Sequence, residues 1–140
     1  MIVLDTNVIS ETLRREPASR VLAWIDAQPS SDLYLCTPVL AELYYGIARL
    51  IQSARKRGLL SSYRQVVGEV FVGHILTFDA SAAEDYGELM AKLAAEGRPM
   101  SLVDAMIAAI ARTNGAALAT RNTDHFARAG VPLINPFGTD

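Results

Sequence analysis

The chain has 140 residues, 51% of them hydrophobic and 20% charged, with a formal net charge of −2. That length suits one domain over residues 1–140, and the composition excludes a disordered chain. The charge balance does not itself point to a polyanion partner and leaves one open to a local basic patch. No apolar run approaches the ~18 residues of a membrane span, no basic leader precedes the first strand, and the lone Cys36 cannot form an internal disulfide. Together these features indicate a soluble cytoplasmic protein.

Ile2-Val3-Leu4 is an uninterrupted apolar run ending at Asp5, which suits a strand buried on both faces of a parallel sheet. Asp5 at the end of such a strand is a candidate site residue or, more simply, a helix cap. Val8, Ile9, Thr12 and Leu13 predict a helix that ends near Arg14-Arg15, and Val21, Leu22, Trp24 and Ile25 predict a second one after Pro17. Leu33–Cys36 reads as strand two. Thr37-Pro38 predicts a helix start with Thr37 as cap, and Leu40, Leu43, Tyr44, Ile47 and Ile51 continue its apolar stripe. Arg55-Lys56-Arg57-Gly58 reads as a basic turn, followed by a helical stretch from about Leu59 to Val70.

Ile75–Phe78 reads as strand three, ending at Asp79. Ser81-Ala82-Ala83-Glu84 has capping-box spacing, and the helix it opens runs to stop signals at Gly97 and Pro99. Ser101-Leu102-Val103-Asp104 opens a helix whose body, Ala105 to Ala111, is apolar on every side, so it is expected to be buried. Asn114-Gly115 ends it, Ala116–Ala119 reads as strand four, and a polar loop follows through Asp124. Val131–Ile134, which contains Pro132, reads as a short edge strand. Strands alternate with helices throughout. The expectation is an α/β fold with a central, mainly parallel sheet of four to five strands covered by helices.

Asp5, Glu42, Asp104 and the Asn122/Asp124 loop each fall just past a strand or at a helix start, places that a parallel sheet gathers on one edge. Carboxylates gathered there repel, and a divalent cation that works with phosphate substrates would offset the repulsion. Each position also has a plain reading. Asp104 completes a Ser-x-x-Asp box, Glu42 lies off the apolar stripe as a solvated acid, and Asp124 sits in a turn. His74 reads as structural. His125 has no second histidine placed for metal-free acid–base cleavage.

These residues carry a resemblance to the PIN-domain ribonucleases, in particular the VapC-type toxins of the FitB-like group. Ile2-Val3-Leu4-Asp5-Thr6-Asn7-Val8 resembles the family's first motif, and Ala41-Glu42-Leu43 with Gly46 its second. Asp104 with the alanine-rich helix resembles the third, and Ala119-Thr120-Arg121-Asn122 with Phe126 the fourth; Val131 to Pro136 is also similar. The resemblance implies a PIN-like fold and a metal-dependent endoribonuclease, with Mg²⁺ or Mn²⁺ held by Asp5, Asp104 and Glu42. Thr6, Ser101, Thr120 and Asn122 would then hold waters or ligands in place. One departure stands out: Asn122 occupies a position where the family often has an acid, and Asp124 lies two residues on as its possible replacement. This leaves a catalytically silent module that binds RNA or antitoxin as the alternative reading.

RNA would need cations, for which Arg14, Arg15, Arg49, Arg121 and the Arg55-Lys56-Arg57 segment are candidates, with Tyr44, Tyr45 and Phe126 available for stacking. The resemblance further implies a homodimer and a small VapB/FitA-type antitoxin, with any DNA bound through that antitoxin alone. Two phosphotransfer families fit poorly. A haloacid-dehalogenase-like enzyme needs an acid where Asn7 stands, and a receiver domain needs a late lysine, whereas the last one is Lys92.

Overall fold

The structure, a computed structural model, describes residues 1–138, so the last two residues of the expected 1–140 unit lie outside it. Five parallel strands form one sheet in the order β3-β2-β1-β4-β5: β1 Ile2–Leu4, β2 Leu33–Cys36, β3 Ile75–Leu76, β4 Ala117–Ala119 and β5 Leu133–Ile134. The helices are α1 Thr6–Thr12, α2 Ser19–Asp26, α3 Thr37–Ala48, α4 Ala54–Gln65, α5 Ala80–Ala95, α6 Leu102–Thr113 and α7 Thr123–Phe126. Among the described residues no helix is long and apolar enough to cross a membrane.

β1 is central because its side chains are apolar without alternation, and Val3 and Leu4 are fully buried between the helical layers. Ile2 pairs with Leu33 on one side and Ala117 on the other. The chain leaves β1 toward β2 and β3 and returns on the far side as β4 and β5. The direction of progression therefore reverses between β1 and β4, which is where open α/β sheets form their ligand crevice. Asp5 and Thr120 immediately follow these two strands, and the Asp5 N–H donates to the Ala119 carbonyl at 2.9 Å.

α6 is the buried helix its composition predicts: Ala105 and Ile107 to Ala111 are all fully covered. Its small side chains allow α5 and β4 to approach closely. It ends at Gly115 (φ +63°), where the Ala116 N–H reaches back to the Ala111 carbonyl and the Gly115 N–H to Arg112. α5 ends in the same way at Gly97 (φ +69°), with the Arg98 N–H bonded to the Leu93 carbonyl. Both glycine stops were legible in sequence. In the last turn of α6, Arg112 ties three segments together, with Nε 2.9 Å from Asp85 on α5 and NH1 donating to the Ala129 carbonyl at 2.7 Å.

Several local expectations are corrected. Arg55-Lys56-Arg57 is not a turn but the first turn of α4, because Ser53 accepts the Lys56 N–H as its cap. Lys56 extends back to the Ala48 carbonyl at 2.9 Å, so its cation serves the C-terminus of α3. That helix stops at Ala48, leaving Ile51 88% exposed rather than continuing the stripe. The stretch after Gln65 closes as a π-helical turn, Val66–Val70. Asp79, not Ser81, caps α5 by accepting the Ala82 N–H. Thr37 is the first helical residue rather than the cap, and its hydroxyl accepts the Phe78 N–H. β3 therefore spans only Ile75–Leu76.

Candidate active site

Asp5 is only 4% exposed, and its carboxylate is held by three donors. Oδ1 accepts the Thr6 N–H at 2.8 Å, so Asp5 does cap α1, as the simplest reading of the sequence has it. Oδ2 accepts the Thr120 hydroxyl at 2.7 Å and the Asn7 amide at 3.2 Å. The fully buried Thr120 hydroxyl in turn accepts the Asn122 N–H at 3.0 Å. Asn7 completes the frame, its side-chain oxygen accepting the Arg121 N–H at 3.1 Å.

Glu42 comes from the second turn of α3 and turns inward, its Oε1 accepting the Thr6 hydroxyl at 2.6 Å. The solvated-surface reading of Glu42 is thereby excluded. Asp104 lies in the first turn of α6, which starts at the carboxyl edge of the sheet because it leads back to the beginning of β4. The Ser101 hydroxyl accepts the Asp104 N–H at 3.2 Å, which is half of a capping box. The Asp104 carboxylate is not spent on the reciprocal bond; its Oδ2 lies 3.5 Å from Nδ1 of His125.

Three carboxylates from β1, α3 and α6 thus share one edge of the sheet. Burial raises the pKa of Asp5 above the usual range, and the charge of Asp104 raises it further against the bonds from Thr120 and Thr6. Glu42 is raised by burial and then by the charges of Asp5 and Asp104. Beneath them the Cys36 thiol is pushed up to about 12, by burial and then by the charges of Asp5 and Glu42, so it is a packing residue and not a nucleophile.

Among the described residues, no three His, Cys, Asp or Glu side chains are drawn together closely enough to hold a metal ion on their own. An open carboxylate edge of this kind suits a hard cation that keeps much of its water, as Mg²⁺ does, and suits a thiolate- or imidazole-binding metal poorly. Folding with Asp5 and Glu42 charged has a stability cost. In this pair the contribution is most favourable below the ordinary values of 3.8 and 4.5 and is lost as pH rises through the raised folded-state values. In metal-free buffer at neutral pH, Glu42→Gln is therefore expected to raise Tm by a few degrees, with the difference vanishing on acidification below pH ~4. Equal Tm values at both pH values, followed by thermal denaturation, would show that the carboxylates do not interact.

The remaining predicted residues divide. Asn122 occupies the cap position of α7 without a side-chain cap bond and is exposed. Asp124, by contrast, lines a cavity together with Asp104, Ser101 and His125. Arg15 and Arg49 are exposed, and the Arg49 guanidinium lies 5.8 Å from the centre of the Tyr45 ring. Arg14 and Arg121 are less free than predicted. Arg14 donates to both oxygens of Glu11, while Arg121 lies 3.7 Å from Glu11 and 3.7 Å over the Phe137 ring. His74 is structural, bonded to the Leu33 carbonyl and stacked on Tyr34. Phe126 is wholly buried, so it does not stack on a base.

Asn7 and Glu11 were missed in sequence. Glu11 is 3% exposed, and although burial opposes its charge, the Ala18 N–H and Arg14 hold its carboxyl below the usual range. The available signal was an acid on the inward side of α1, one turn past Asn7, next to an arginine pair.

Comparison with known proteins agrees with this architecture. The chain is 42% identical to the VapC ribonuclease Y4jK of Sinorhizobium fredii, over 98% of both proteins. It is 39% identical to toxin FitB of Neisseria gonorrhoeae, over 98% of this chain and 99% of that one. The solved structure of FitAB bound to the IR36 DNA fragment superposes with a TM-score of 0.92 at 37% identity, covering 100% of this chain and 98% of that one. The PIN domain profile matches residues 2–132. With carboxylates gathered at the switch point of a five-stranded parallel sheet, the chain belongs to the PIN domain family.

Proposed function

We propose that this protein is an endoribonuclease toxin that hydrolyses RNA phosphodiester bonds with a divalent cation, Mg²⁺ or Mn²⁺, and is neutralised by a small antitoxin. The observation that carries this reading is the placement of Asp5, Glu42 and Asp104 along one carboxyl edge of the sheet, near enough for their charges to oppose one another. Such a cluster has a stability cost that a cation repays. The names of the relatives, a VapC ribonuclease and the toxin FitB, support the substrate and the biological role.

Asp5 and Asp104 would hold the cation, with Glu42 completing the acidic set. Bound there, a divalent cation positions a water and offsets charge on the scissile phosphate. Thr120 and Asn7 keep the Asp5 carboxylate in one orientation. Thr6 does the same for Glu42, leaving Oε2 without a protein donor among the described residues and able to accept from a water. Asp124, on the cavity shared with Asp104, is better placed than Asn122 to supply the fourth acid. The exposed Arg15 and Arg49 remain the candidates for RNA backbone contacts. A basic side chain of the antitoxin would be drawn to the same acids. A homodimer is part of this reading.

The purified protein, freed of antitoxin, is expected to cleave RNA in Mg²⁺, to stop in EDTA, and to resume when Mg²⁺ is restored. RNA binding without cleavage in either Mg²⁺ or Mn²⁺ would replace the enzyme reading with a binding module.

A further inference from the structure

A cavity of about 690 Å³ opens beside the acidic cluster, within the ~300–1,000 Å³ typical of ligand sites. Asp104 belongs to its wall, so the cavity borders the acidic edge. Two arginines line the same space: Arg98 from the connection between α5 and α6, and Arg128 just past α7. Arg98 has no acidic partner among the described residues, and its backbone is fixed by the bond to the Leu93 carbonyl that closes α5. Arg128 lies 3.6 Å from Glu96, with both side chains substantially exposed, a pairing that water screens. Pro99 and Met100 add apolar surface to the same wall, backed by the buried Leu93. His125 stands against Asp104, which leaves the two guanidinium groups available to an incoming anion.

Cations beside an apolar surface, continuous with an acidic hydrolytic edge, match the chemistry of a nucleotide, with a phosphate for the arginines and a base for Pro99 and Met100. We propose that this cavity is the subsite for the nucleotide adjoining the scissile phosphate in a single-stranded RNA, with Arg98 and Arg128 holding its flanking phosphate. The proposal rests on the nuclease reading above. It goes further in assigning a determinant of affinity and cleavage position to residues outside the carboxylate set. A protein segment seated in the same cavity is the competing occupant.

The test compares oligoribonucleotides that share one scissile step and are extended by a single nucleotide on the 5′ or the 3′ side. In wild type, extension on one side is expected to raise kcat/KM roughly tenfold, in line with stacking of one base. In Arg98→Ala/Arg128→Ala this gain disappears, and the salt dependence of RNA binding becomes shallower by roughly one charge contact or more. Met100→Ala reduces the gain without changing the salt dependence. The same series is measured by fluorescence anisotropy on Asp5→Asn without metal, so that binding is read apart from cleavage. If wild type cleaves nothing but the arginine-dependent gain persists in binding, the nuclease reading fails and the subsite stands. If cleavage proceeds and the arginine variant keeps the full gain, the subsite is overturned. Loss of antitoxin inhibition with an unchanged length gain also overturns it, and assigns the cavity to the protein partner.

Discussion

Asp5→Asn is expected to lower RNA cleavage in Mg²⁺ by about a thousandfold, equivalent to about 4 kcal/mol of barrier, while leaving the protein folded. The substitution removes charge and little else. Its remaining oxygen still accepts the Thr6 N–H, and the new amide faces a Thr120 hydroxyl that can turn from donor to acceptor. The weaker bond from Asn7 is lost, but so is the repulsion with Asp104 and Glu42. Tm in metal-free buffer is therefore expected to stay within a few degrees of wild type. A rate equal to wild type at saturating Mg²⁺, measured on the same RNA, would remove Asp5 from the centre of the site. Asp5 has the largest effect because it is the most buried of the three acids and sits at the switch point itself.

Phe126→Ala is expected to cost about 3–5 kcal/mol and to lower Tm by roughly 10 °C or more. Phe126 is 0% exposed and the largest of the fully buried side chains. It is also the sole buried residue of α7, a helix of only four residues with no side-chain cap bond. Nothing else in that helix reaches the core, so Phe126 is the apolar anchor that holds the segment carrying Asp124 and His125, whose ends are tied by the Asn122 N–H to Thr120 and by Arg112 to the Ala129 carbonyl. A fall of less than ~3 °C in thermal denaturation would mean that the surrounding side chains collapse into the space, and that α7 is secured by other means. If the fall is large, cleavage at temperatures well below the new Tm should also weaken, because Asp124 and His125 lose their place beside Asp104.

How much of this was legible beforehand depends on the range of the interaction. The runs Ile2–Leu4 and Leu33–Cys36 are apolar without alternation, so burial on both faces showed directly and the strand limits agree. The uniformly apolar body of α6 identified itself in the same way. The three acids were placed on one edge because a parallel sheet puts every strand end there, whatever the side-chain details. Short-range competition was harder to read. Asp79 and Ser81 both offer caps, and Asp79 prevails by accepting the Ala82 N–H, while the Phe78 N–H turns to the Thr37 hydroxyl and β3 is left short. Ser53 turned an apparent basic turn into a helix start, even though cations are unfavourable there, because Lys56 found the Ala48 carbonyl. Least legible were contacts between distant segments. Glu11 reads as a surface acid until Ala18 and Arg121 fold over it, and Asn7 reads as a helix starter until the Arg121 backbone arrives.

The bond between Thr120 and Asp5 spans 115 residues. At the roughly 5–20 residues per second of protein synthesis, the acid is made on the order of 6–23 seconds before the hydroxyl that orients it. Nor can β1 be completed earlier, since one of its two neighbours in the sheet is β4. Asp104 and the loop beyond β4 are likewise made late. For the ribonuclease proposed above, this order delays the assembly of the site. The nascent chain carries Asp5 well ahead of Thr120, and the proposed centre is not assembled until β4 and the loop beyond it have emerged. Chains stalled before β4 would lack both the Thr120 hydroxyl and one neighbour of β1, and under the toxin reading an antitoxin already present would have those seconds in which to meet its target before the centre is complete.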